Sequence, residues 1–139
     1  MKNNKGFSLV ELMVVIIIVG ILSFVSFNMY KRYKKNAIMT EGKALLSAII
    51  DAEEIHYSQS EDNSYFTTEG FVQSISATVT GSSGINAATN IYFRSFDISE
   101  EDDNTISIET IYENSRGGSI LLRVRISPNS EPVYSEEIS

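Results

Sequence analysis

The chain contains no cysteine, no tryptophan, one histidine and two prolines among 139 residues. Without cysteine there is no disulfide and no thiolate chemistry, so the fold is held by apolar burial and by whatever it packs against. A lone histidine, His56, supports neither a nucleophile–base pair nor a metal cluster. No Gly-rich phosphate loop, HExxH pattern or serine elbow is present. These absences point away from an enzyme and leave no cofactor to expect. The prolines, Pro128 and Pro132, stand near the C-terminal end, so none interrupts residues 7–57.

Charge is unevenly spread. The net value is −7, yet residues 1–43 carry seven Lys/Arg against two acids, and residues 44–139 carry four against sixteen. The acidic part repels phosphate backbones, so nucleic acid is not an expected partner. Arg116, Arg123 and Arg125 could form a basic strip on a sheet, but amid so many carboxylates they read as cross-strand partners for acids. The run Glu100-Glu101-Asp102-Asp103 offers hard oxygen ligands for a cation such as calcium. It lacks the alternation and glycine of an EF-hand loop, and it reads first as a solvated turn.

The most informative segment is the apolar run Phe7–Phe27, interrupted by one carboxylate, Glu11. As a helix these 21 residues cover about 30 Å, enough for a bilayer core. A carboxylate there costs about 2.5–3.5 kcal/mol on insertion scales, so it calls for a partner or a function. An ordinary secretory signal would be cut after the apolar run, between small residues. Ser23-Phe24-Val25-Ser26 is a poor site of that kind. Lys2 and Lys5 precede the run, while Lys31, Arg32, Lys34 and Lys35 follow it, so the flanking charges alone place the C-terminal side in the cytoplasm. The same cluster suits anionic headgroups at a membrane edge.

The order Lys5-Gly6-Phe7, then Glu11 inside an apolar stretch, resembles the N-terminus of type IV pilins and pseudopilins, the class III signal peptide. The resemblance implies that a basic leader, residues 1–6, is removed between Gly6 and Phe7. It implies that Phe7 is then N-methylated by a prepilin peptidase/methyltransferase, and that Glu11 serves assembly as a counter-charge. It also implies insertion in the inner membrane with the leader in the cytoplasm, against the flanking-charge rule. An inner-membrane assembly platform would then recruit the subunit into a periplasmic or extracellular filament with itself or other pilins, membrane lipid being its partner beforehand. Two alternatives stand beside a pilus subunit: a pseudopilin of a secretion system, and a membrane-anchored binding domain that does not polymerise.

The remaining pattern predicts an α+β fold, a long N-terminal helix packed against a C-terminal antiparallel sheet. Helical spacing continues through Ile38, Leu45, Ala48, Ile49, Ala52 and Ile55, with Lys43, Ser47, Asp51 and Glu54 opposite. Residues 7–30 are therefore assigned to a membrane and assembly helix and 31–57 to its amphipathic continuation. Asn28 stands where many type IV pilins have proline, so no kink is expected there. Gly20 and Gly42 are weak points, each costing about 1 kcal/mol relative to alanine. Residues 58–90 read as a connection with one short element near Phe71–Val79 and a loose point at Gly81–Gly84. From 91 the period becomes two, predicting strands near 91–98, 105–113, 119–127 and 132–138 with a break at Ser99–Asn104.

Overall fold

The computed structural model describes residues 6–76, 84–102, 104–115 and 117–139. Lys2, Lys5, Val79, Gly81–Ser83, Asp103 and Arg116, named above, lie outside the described residues.

One helix, α1, runs from Leu9 to Gln59. Nothing in its sequence breaks it, and two polar side chains of its apolar part bond the helix's own backbone. Ser26 Oγ donates to the Leu22 carbonyl at 2.8 Å, and Asn28 Nδ2 donates to the Phe24 carbonyl at 3.2 Å. Both bonds run to the residue four positions back, so the Ser26 hydroxyl hydrogen and one Asn28 amide hydrogen are satisfied within the helix. The chain divides between Ala37 and Ile38 into two compact units. In the first, every described residue from Gly6 to Ala37 is exposed, and the helix is long and apolar enough to cross a membrane by length and composition.

In the second unit, α1 lies on the sheet. Ile38, Leu45, Leu46, Ile49, Ile50 and Ala52 pack with Phe93, Phe96, Ile98, Ile106, Ile108, Leu122, Val124 and Ile126. The buried stripe is rotated slightly from the one expected. Ala48 and Ile55 are exposed, whereas Gly42, Leu46, Ile50 and the carboxyl of Glu53 are inside. Gly42 is thus a contact and not a flaw in the helix. A Cβ there would lie 2.3 Å from Leu122 Cδ1 and 2.7 Å from the Phe93 ring.

The sheet is an antiparallel meander. Its strands are β3 (Phe96–Asp102), β4 (Thr105–Glu113), β5 (Ser119–Ile126) and β6 (Val133–Ile138), in the order β3-β4-β5-β6. Before it, two-residue strands β1 (Ser74–Ile75) and β2 (Ile85–Asn86) pair with each other, and Ala87–Thr89 form a single 3₁₀ turn. Together with α1 this is an α+β, pilin-like arrangement. The turns use asparagine where the backbone enters left-handed space, at Asn104 (φ 67°) and Asn129 (φ 61°).

Two strand boundaries differ from expectation. Residues 91–95 are not strand. The Glu41 carboxylate on α1 accepts the N–H groups of Ile91 (3.1 Å), Tyr92 (2.6 Å) and Phe93 (3.0 Å), and so takes three backbone donors that a neighbouring strand would otherwise bond. Glu100, Glu101 and Asp102 stand on β3 and not in a turn, with a register shift between Glu100 and Asp102. An acidic run can continue a strand here because Glu101 meets Arg125 across the sheet, Arg125 Nε donating at 2.5 Å. Replacing Glu41 by alanine is expected to cost about 2 kcal/mol, since two of its three donors are partly buried and lose a charged acceptor. Glu41→Gln should cost less, because one oxygen remains. Urea titration of the full chain in detergent, followed by tyrosine near-ultraviolet circular dichroism, measures both.

Candidate functional site

The start of α1 is built from Gly6, Phe7, Ser8 and Glu11. Gly6 and Phe7 precede the helix outside regular structure and are exposed, Phe7 at 85 %. A protease would find the Gly6–Phe7 bond outside regular structure, where a chain can enter a cleft. Ser8 caps the helix. Its N–H donates to Glu11 Oε2 at 2.9 Å, and the Glu11 N–H donates to Ser8 Oγ at 3.3 Å. The two residues therefore form a reciprocal capping box, which satisfies two of the amides that a helix start leaves open. The Glu11 carboxylate also faces the positive end of the helix dipole.

This box is the element that the sequence reading missed. The signal was present as Ser8-x-x-Glu11 directly before an apolar run, the usual signature of a helix start. It gives Glu11 a role in the single chain, before any neighbour is considered. The structure brings Ser8 and Glu11 together and places Phe7 beside them in sequence, one residue ahead of the cap.

The other residues singled out by sequence have structural roles. Arg123 Nε donates to Glu109 at 2.5 Å, directly across from it in the β4–β5 register. Arg125 is engaged by Glu101, as above. The described arginines of the proposed strip are thus each held by a carboxylate. His56 Nδ1 lies 3.1 Å from the Ser64 carbonyl and its ring meets Phe66 edge-on at 5.5 Å, fastening the turn after α1. Among the described residues no three His, Asp or Glu side chains converge as metal ligands.

Beside His56 lies the most perturbed group in the described structure. Glu53 is wholly buried and accepts one hydrogen bond, from the Phe66 N–H to Oε2 at 3.2 Å, while Oε1 has no partner. Burial pushes its carboxyl from an ordinary 4.5 up to about 8, and the Phe66 N–H offsets only part of that. Tyr65, stacked at 4.7 Å on Tyr57, is pushed up by burial, by Tyr57 and by the nearby Glu53 and Glu54 carboxyls. These groups fasten the turn to the helix, and a small pocket of about 80 Å³ opens beside Tyr65.

Residues 1–27 match the family model described as the prokaryotic N-terminal methylation motif, the motif typical of the type IV pilin class III signal. The match covers Gly6, Phe7, Ser8 and Glu11 and ends at Phe27, the last residue of the apolar run. No curated protein and no solved structure matches the chain. The chain thus carries a prepilin-type N-terminal motif, joined to a pilin-like α+β fold.

Proposed function

We propose that the chain is a structural subunit of a type IV pilus or pilus-like filament. It is inserted as a prepilin, cut between Gly6 and Phe7, methylated on Phe7, and polymerised by side-by-side helix packing. The observation that carries this reading is the Gly6-Phe7-Ser8-x-x-Glu11 order at the head of a helix whose apolar surface up to Phe27 is exposed in the single chain. That surface needs lipid or other helices around it, and leaving lipid for a bundle exchanges acyl contacts for helix packing. Cleavage at Phe7 would create an amine at the depth of Glu11. A neighbour's Phe7 could then replace the Ser8 amide as the partner of the carboxylate.

One observation favours a second reading, a membrane anchor that never polymerises. The capping box already accounts for Glu11 without any neighbour. Three variants separate the readings. Ser8→Ala removes only the cap oxygen, at about 1 kcal/mol of helix stability, and should leave polymer yield nearly unchanged. Glu11→Gln keeps the box, because glutamine fills the same position, but removes the charge. Its polymer yield is expected to fall about tenfold or more, with intact-mass analysis still showing a methylated chain that begins at Phe7. Normal polymer from Glu11→Gln would leave Glu11 a cap alone, and an uncut Met1–Gly6 would remove the subunit reading altogether.

A further inference from the structure

The sheet has one covered edge and one open edge. Beyond β3, Val72 and Phe96 exchange backbone bonds at 2.8 Å in both directions, and the Thr68 N–H reaches the Ile98 carbonyl. Beyond β6 there is no such cover among the described residues, and all six residues of the strand are exposed. Register places Tyr134 opposite Val124, Glu136 opposite Leu122 and Ile138 opposite Ile120, on the face that elsewhere packs on α1. Here that face is left bare, with Tyr134 51 % and Ile138 50 % exposed. Between α1 and β6 runs a groove of about 260 Å³, walled by Lys43, Leu46, Tyr134 and Glu136 and floored by Leu122.

The charge on this edge narrows the occupant. No Lys or Arg follows Arg125, while Glu131, Glu136 and Glu137 lie on or beside β6. These glutamates keep two β6 edges from pairing with each other, because like charges would be brought together. The edge suits a cationic, partly aromatic segment instead. The chain itself carries one. Lys31, Lys34 and Lys35 fall on one face of α1 at spacings of three and four residues, next to Arg32, with Tyr30 and Tyr33 exposed alongside. Both ion pairs among the described residues lie on the sheet, so this cluster has no carboxylate of its own there.

We infer that the β6 edge and its groove receive the Lys31–Lys35 segment of a second copy of this chain, a contact that rests on the polymer reading above. Such a contact is head-to-tail: each copy offers a cationic helix segment to one neighbour and an acidic edge to another. A repeating contact of this kind propagates and does not close on itself as a dimer would. Lys43 on the groove wall opposes it weakly, one ammonium against three carboxylates.

The test uses the full chain, whose lack of cysteine makes engineered disulfides unambiguous. Lys34→Cys and Glu136→Cys variants are mixed in detergent and oxidised. Cross-linked dimers should form in the mixture severalfold more than in either variant alone, and should fade as salt is raised. Lys34→Glu with Lys35→Glu should cut polymer yield about tenfold, and adding Glu136→Lys with Glu137→Lys to the same chain should restore it. Polymer without the cross-link overturns the contact and leaves the subunit reading in place. Cross-linked dimers from a chain that never polymerises uphold the contact and overturn that reading. If Lys34→Glu with Lys35→Glu instead releases the chain from phosphatidylglycerol vesicles and the reciprocal swap restores nothing, the cluster serves headgroups and the inference fails.

Discussion

Between about pH 4.5 and pH 8 the second unit is expected to lose stability through Glu53 alone, by up to 1.4 kcal/mol per pH unit and roughly 4–5 kcal/mol in all. The sign follows from burial. Folded, the carboxyl holds its proton up to about pH 8; unfolded, it releases it near its ordinary 4.5. In that interval the folded state binds one proton more, so each rise in pH favours unfolding, and above about 8 the contribution levels off. Glu53→Gln should remove the slope. The amide still accepts the Phe66 N–H, but its own N–H groups inherit the unpartnered position of Oε1, a cost of about 1–2 kcal/mol at every pH. The variant should therefore be less stable than the parent near pH 4 and more stable near pH 9. Urea midpoints across that range decide it, and parallel curves for the two proteins would rule Glu53 out as the source.

The second large effect is at Gly42. Alanine there gains about 1 kcal/mol of helix propensity, yet its Cβ must displace Leu122 Cδ1 and press on the fully buried Phe93 ring. Leu122 ends in a flexible methyl and can move, whereas the ring is held on all sides. A net loss of about 1–2 kcal/mol is expected for Gly42→Ala and about 3 kcal/mol or more for Gly42→Val, whose extra methyls have nowhere to go. In a Leu122→Val background the penalty of Gly42→Ala should shrink by about 1 kcal/mol, because the nearest clashing atom is gone. Additive losses would mean that the helix and the sheet do not touch through this pair.

What local pattern specifies was readable in the sequence. The uninterrupted helix, the alternation of Ile120, Leu122, Val124 and Ile126, and the Gly6-Phe7-Glu11 order are all periodic or contiguous signals. The misreadings arose where the deciding partner is distant in sequence. Glu41 diverts residues 91–93 from a strand across fifty positions, and Arg125 lets Glu101 stay within one. Neither choice leaves a mark in the segment it alters. Glu53 is an intermediate case. It follows Ile49 by four and Ile50 by three, so helical geometry placed it on the buried face, although a charged residue next to Glu54 reads naturally as solvated. Ser8 was legible, but the apolar run after it drew the interpretation toward the membrane and away from the cap.

The meander order of the sheet carries a consequence for the timing of folding. β3, β4, β5 and β6 each pair with their immediate successor across short turns, so every ladder forms from chain that is close by in sequence, the least costly kind of loop to close. The seating of Glu41 under Ile91–Phe93 instead closes about fifty residues, and it is expected to follow the hairpins. A helix made early thus carries a bare stripe at Leu45, Leu46 and Ile49 until the last covering strands exist, an interval in which it is prone to wrong associations. Pulsed hydrogen exchange during refolding should show β4 and β5 amides protected before those of Ile91, Tyr92 and Phe93. The reverse order would mean that the helix templates the sheet.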